Sequence, residues 1–257
     1  MRIVIKVGTS TLAHATGKLN IRRTGELCRV LSDLKNEGHE VLLVSSGAIG
    51  MGVGKLSLAQ KPQDIPTKQA AAAVGQCELM YTYDRLFNEY GHTVAQILLT
   101  GADFTAQDRH ENFSNTIERL LELGALPIVN ENDTVATEEI KVGDNDTLSA
   151  LVAVSVRAEL LVILSDVDGL YSADPHTQKD AVLIQEVHGV TEELLASAGG
   201  AGSNLGTGGM KTKLTAAKIC GANGVDTVIA NGETPDVLYA ITRGETGRYT
   251  RFYGEKK

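Results

Sequence analysis

Six stretches of this chain are mostly apolar along their whole length, without the polar alternation of a strand that faces water on one side. They cover residues 2–7, 40–45, 93–98, 126–130, 160–164 and 227–230. Strands covered on both faces read this way, whereas half-solvated strands alternate. Between them, residues 22–36, 67–89, 111–123, 144–155, 210–222 and 234–241 carry helical patterns. Alternation of the two predicts stacked βαβ units and a mainly parallel sheet. A strand-like segment at 247–253 closes the chain, and residues 136–142 read as a small β-excursion or hairpin carrying charged residues. The absence of Trp and the presence of 27 Gly suit such a sheet better than an antiparallel sandwich with an aromatic core.

In an open α/β sheet, ligands sit outside the carboxyl ends of the strands, so the strand ends are where chemistry is expected. The 257 residues carry a formal net charge of -8. No run of five or more Lys/Arg occurs, which argues against nucleic acid as a partner. An anionic ligand would have to be held by a few placed lysines and backbone amides. Cys28, Cys77 and Cys220 lie far apart without CxxC spacing, so they read as free thiols and not as a zinc site or disulfide framework. The six histidines show no ligand spacing and read as surface or loop residues. Residues 1–6 hold too short an apolar run for a signal peptide, and nothing reaches the roughly 18 apolar residues of a membrane span. A cytoplasmic protein is the expectation.

The common nucleotide motifs are missing. Gly54-Lys55 lacks the upstream Gly and the Ser/Thr of a Walker A loop, and Gly50-Met51-Gly52-Val53-Gly54 has the wrong spacing for a dinucleotide fingerprint. The HRD and DFG signatures of protein kinases are absent. What remains is Lys6-Val7-Gly8-Thr9-Ser10, a lysine at a strand end followed by a Gly/hydroxyl turn. Such a turn offers backbone N–H groups to a phosphate, although a surface lysine before a turn would look the same. Ser45-Ser46-Gly47-Ala48-Ile49-Gly50 repeats the pattern as a second strand-to-loop turn. The third piece, Gly206-Thr207-Gly208-Gly209-Met210-Lys211-Thr212-Lys213, is a glycine loop opening a helix. Lysines at a helix N-terminus oppose its dipole, and a bound polyphosphate explains them. The glycine cluster from Gly199 to Gly209 reads either as a linker or, better, as a functional loop able to act as a lid.

Together and in this order, these pieces resemble the amino acid kinase family. Asn130-Glu131-Asn132-Asp133, Ile140-Lys141-Val142-Gly143-Asp144-Asn145-Asp146 and Gly169-Leu170-Tyr171-Ser172-Ala173-Asp174-Pro175 extend the likeness over nearly the whole chain. The resemblance implies a three-layer α/β/α sandwich with a mainly parallel central sheet, forming one domain over residues 1–257. It implies transfer of a phosphoryl group from ATP, with Mg²⁺, to the γ-carboxylate of L-glutamate. By the same likeness Lys6 and Lys213 contact the transferred group, and Asp146 holds both lysines. Ser46, Asp133 and Asn145 match positions that bind the amino acid. Lys6, Gly8, Ser165, Asp166 and the run Thr207-Gly208-Gly209-Met210-Lys211-Thr212-Lys213 match positions that bind ATP. Feedback by proline and a homo-oligomer, dimer or tetramer, are also implied. Relatives that carry an additional C-terminal RNA-modification-enzyme-like (PUA) domain differ from this chain, which is expected to lack it.

The residues themselves fit that chemistry. A side-chain carboxylate, with an ordinary pKa near 4.3, is already ionised at pH 7 and needs no general base. What it needs is relief from repulsion as it approaches ATP, which lysines, Mg²⁺ and amides provide. Free glutamate carries an α-ammonium, and the acid and amide residues 130–133 and 144–146 offer acceptors for it. Helix capping alone would explain either Asp144 or Asp146. Two other readings stay open: the same fold acting on N-acetylglutamate, aspartate, carbamate or a nucleoside monophosphate, and a non-catalytic amino-acid sensor.

Overall fold

A computed structural model describes residues 1–14, 18–60, 62–136, 142, 144–173, 178, 180–197 and 209–255. The first half of the chain runs β1 (Arg2–Val7), α1 (Thr9–Leu12), α2 (Ile21–Asn36), β2 (Glu40–Ser45), α3 (Ala48–Lys55), α4 (Ile65–Asn88), β3 (Val94–Leu99), α5 (Ala102–Thr105), α6 (Gln107–Glu122) and β4 (Leu126–Glu131). The second half runs α7 (Asn145–Ser155), β5 (Leu160–Ser165), β6 (Glu186–His188), α8 (Glu192–Ser197), α9 (Met210–Gly221), β7 (Asp226–Asn231), α10 (Val237–Arg243) and β8 (Tyr249–Tyr253).

Helix starts are set by short polar side chains. Asn20 accepts the Arg23 N–H at 3.1 Å, and Asp64 accepts that of Thr67 at 2.9 Å ahead of a proline in the first turn of α4. All eight strands form one sheet in the order β3-β4-β2-β1-β5-β7-β8-β6. From β3 to β7 every neighbouring pair is parallel, β8 runs antiparallel to β7, and β6 is parallel to β8. The mainly parallel sheet expected from the apolar runs is present, and β1 lies between β2 and β5 near its middle.

Side-chain alternation sorts the strands' residues into two cores. Ile3, Ile5 and Val7 pack with α2, α4 and α10, whereas Val4, Leu161 and Ile163 pack with α6, α7 and α9. Helices therefore cover both faces, making the three-layer α/β/α arrangement. The chain leaves β1 toward β2 on one side and later returns to its other side with β5, so the topological switch falls at the carboxyl end of β1.

One packing detail fixes the ground beside that switch. Helix α3 lies against α4 through glycines: a Cβ on Gly52 would stand 1.8 Å from the Ala71 carbonyl oxygen, and one on Gly75 would stand 1.7 Å from that of Ala48. The turn after β2 is therefore only Ser46-Gly47, with Gly47 at φ 110°, before α3 begins. The longer loop expected through Gly50 is a helix instead, because α4 holds these small residues at backbone contact. The β-excursion over residues 136–142 lies almost entirely outside the described residues.

Candidate active site

Lys6 has the same strand parity as Val4, so its side chain leaves β1 on the face covered by α7 and α9. There Lys6 Nζ lies 2.6 Å from Asp146 Oδ1, and Lys213 Nζ lies 3.3 Å from Asp146 Oδ2. The Thr212 hydroxyl, at the start of α9, donates to the same Oδ2 at 2.7 Å. All three charged residues are buried, with Lys6 8%, Asp146 1% and Lys213 5% exposed. Burial pushes the Asp146 carboxyl upward, but the two ammonium groups and the hydrogen bonds from Lys6 and Thr212 more than offset it. Its pKa therefore lies below the usual carboxylate value. Taken together, the two lysines and one aspartate carry one positive charge in excess. Gly8 lies at their head, where a Cβ would stand in ordinary contact with Lys6 Nζ at 3.4 Å.

Asp144 and Asp146 turn out to differ in role. Asp144 is the cap of α7, accepting from the Thr147 N–H and hydroxyl, each at 2.9 Å. Asp146 is turned inward, away from capping work.

Between them, Asn145 joins the ends of three elements. Its Nδ2 donates to Ser46 Oγ at 2.8 Å and Asn130 Oδ1 at 3.0 Å, and lies 3.3 Å from the Ser45 carbonyl. Ser46 and Asn145 are thus brought together beside the lysine–aspartate cluster. Asp133 sits on the turn just after β4, where Val135 and Ala136 both donate to the Asn132 carbonyl. The far end of the charged segment returns to the same strand end, the Val142 N–H donating to Glu131 Oε1 at 2.6 Å; residues 137–141 lie outside the described residues.

Ser165 ends β5, next to β1, and its hydroxyl donates to Asp166 Oδ1 at 3.0 Å. Just beyond it, Asp168 accepts from Asn231 Nδ2 at 3.1 Å, the Tyr171 hydroxyl at 2.9 Å and Arg248 Nη2 at 2.7 Å. Burial raises that carboxyl, yet these donors hold it below the usual range. The effect is to fasten the loop after β5 to the end of β7 and the approach to β8. Gly209 precedes α9, Met210 packs against the second core, and Lys211 is exposed. Thr207, Gly208 and the rest of the glycine cluster lie outside the described residues, as does Asp174-Pro175. Asn130 and Asp168 were not singled out individually from sequence, although Asn130 falls in a motif that carried the resemblance and Asp168 directly precedes one. Gln76, described below, gave no sequence signal.

Residues 1–231 match the family model described as the amino acid kinase family. A glutamate 5-kinase of Clostridium perfringens is 54% identical over 248 residues, covering 95% of this chain and 92% of that one. A glutamate 5-kinase of Clostridium acetobutylicum is 56% identical over 244 residues, 95% of this chain and 91% of its own. The chain spans a smaller share, 66%, of a Caldanaerobacter subterraneus glutamate 5-kinase to which it is 55% identical. Among solved structures, carbamate kinase from Giardia lamblia bound to AMP-PNP is similar with a TM-score of 0.70 at 17% identity, over 99% of this chain and 98% of that one. UMP kinase from Ureaplasma parvum is similar with a TM-score of 0.65 at 17% identity, over 98% of each chain. At that identity the two structures speak to the fold.

Proposed function

The chain belongs to the amino acid kinase family, and from that membership and its site we infer that it phosphorylates the γ-carboxylate of L-glutamate with ATP. The observation that carries this reading is the buried Lys6–Asp146–Lys213 cluster at the switch point, with Ser46 and Asn145 beside it. A γ-carboxylate oxygen attacks the γ-phosphorus of ATP in line. The new P–O bond forms as the bond to the β,γ-bridging oxygen breaks, and ADP leaves with that electron pair. No proton has to move at the acceptor, because it arrives as an anion. The barrier is charge repulsion, which Lys6 and Lys213 lower from a site that excludes most water. Asp146 keeps the two ammonium groups apart and aimed, since each takes a different carboxylate oxygen.

Ser46, Asp133 and Asn145 are assigned to the amino acid. Gly8, Ser165, Asp166 and Thr207 to Lys213 are assigned to the nucleotide. Mg²⁺ brought by ATP would be held mainly by the nucleotide's phosphate oxygens and would neutralise part of their charge. Among the described residues no group of three His, Cys, Asp or Glu side chains could cage a cation, and Asp146 is committed to its lysines. The donor set thus fits a cation held mainly by the nucleotide. Proline feedback, a homo-oligomer, a single domain over residues 1–257 and a cytoplasmic site of action belong to the same reading. No helix among the described residues is long and apolar enough to cross a membrane.

The test is a hydroxylamine trap for acyl phosphate with ATP, Mg²⁺ and a panel of carboxylates. Glutamate should give the hydroxamate. Product from N-acetylglutamate or aspartate without product from glutamate would overturn the assignment.

A further inference from the structure

We propose that Gln76, a residue of α4 outside the reaction centre, is a positioning residue that holds Asn130, and through it Asn145, in the orientation that receives the amino acid. The inference rests on the glutamate reading above.

The two shorter contacts of Asn145 Nδ2, to Ser46 Oγ and Asn130 Oδ1, use its two hydrogens. Asn130 Oδ1 accepts a second bond, from the Glu131 N–H at 2.9 Å. Its own Nδ2 donates to Gln76 Oε1 at 3.0 Å, and Gln76 Nε2 donates to Gln96 Oε1 on β3 at 3.1 Å. Four side-chain amides thus form a directed relay from the edge strand to the site. An amide has nearly the same shape after a half-turn, so only its partners decide which end is oxygen. Turned round, Asn130 would set its NH₂ against the NH₂ of Asn145 and the N–H of Glu131. Gln76 Oε1 favours the other orientation by giving Nδ2 an acceptor. Asn130 is 3% exposed and Gln76 8%, so an amide without its partner there would also lose its water.

Helix α4 is built to make that contact reproducible. Gly75, next to Gln76, is the residue pressed onto the Ala48 carbonyl, which ties Gln76 to the helix that follows Ser46-Gly47. Seven residues on, and so on the same face, the Tyr83 hydroxyl lies 2.8 Å from Ser45 Oγ. Thus α4 supports the amino-acid end of the cleft at two points and supplies none of Lys6, Asp146 or Lys213. Its influence should fall on glutamate binding and not on phosphoryl transfer.

Steady-state kinetics on Gln76→Leu, Gln76→Glu and Gln76→Asn, with circular dichroism as the check on folding, separate the possibilities. Gln76→Leu strands Asn130 Nδ2 and should raise the glutamate KM about tenfold while kcat and the ATP KM stay within about threefold. Gln76→Glu keeps an acceptor for Asn130, and the exposed Gln96 can turn its amide to donate, so the glutamate KM should stay within about threefold of wild type. Gln76→Asn stops a methylene short of Asn130, and about a fivefold rise in glutamate KM is expected even if the leucine variant does not fold. A wild-type glutamate KM in both the leucine and asparagine variants overturns the relay. So does equal impairment of the leucine and glutamate variants, or a fall in kcat with KM unchanged. A wild-type chain that gives no hydroxamate with glutamate overturns the functional assignment, and the relay's role with it.

Discussion

Asp146 divides its two oxygens between two lysines and a threonine hydroxyl, so each lysine has its own fixed seat. Removing one ammonium should therefore affect the transition state far more than glutamate binding. Lys6→Ala and Lys213→Ala are each expected to lower kcat by roughly two orders of magnitude, about 3 kcal/mol, with a smaller change in glutamate KM. Steady-state rates decide it, and near-normal kcat in either variant would remove that lysine from the mechanism. At this scale the buried lysine–aspartate cluster, the proposed reaction centre, drew notice in the sequence because its residues are chemically out of place. Lys6 interrupts an apolar strand, Lys213 opposes a helix dipole, and Asp146 follows an aspartate that already suffices as a cap. Gln76 has no such mark. It lies in a run of small residues, and its meaning comes from Asn130, which is 54 positions away.

Helix α3 shows what an element owes to its neighbour. Its sequence, AIGMGVGK, holds three glycines in eight residues, each costing roughly 1 kcal/mol against alanine in an isolated helix. Read alone it is a loop, and only the packing against α4 makes it helical. The glycines of α3 and α4 are not equivalent. Gly75→Ala in α4 would drive a methyl into the Ala48 carbonyl, so a loss of about 1–3 kcal/mol is expected together with a raised glutamate KM as the Ser46 turn shifts. Gly54, with open space where its Cβ would go, should accept alanine with unchanged or slightly improved stability. Urea unfolding of the two variants, read beside their KM values, tests both halves; equal stability would show that the crossing can relax. The long elements were within a few residues of their sequence-based bounds, since α2, α4 and the central strands carry strong patterns. Strand β6, Glu186–His188, is three residues long and exists only because β8 offers it an edge, a fact no local pattern contains.

Across the whole molecule, the proposed feedback by proline should act where the amino acid sits. Proline shares glutamate's α-carboxylate and cationic nitrogen, so groups that hold one hold much of the other. Millimolar proline should slow initial rates at low glutamate and do so less at saturation. No effect at low glutamate would dismiss the idea, and undiminished inhibition at saturation would indicate a separate proline site. The parallel sheet and the clustering of chemistry at its carboxyl ends followed from apolar runs and connection rules. The reversed direction of β8 and the final strand order did not, because they depend on pairings between distant segments. That order also governs the timing of biosynthesis. β1 leaves the ribosome long before one of its two neighbours, β5, which starts only at Leu160. At roughly 5–20 residues per second, the nascent chain spends something like 8–30 s with one long side of β1 still unpaired. During that interval it is a sticky apolar edge for other chains to find, and chaperone demand should be greatest then.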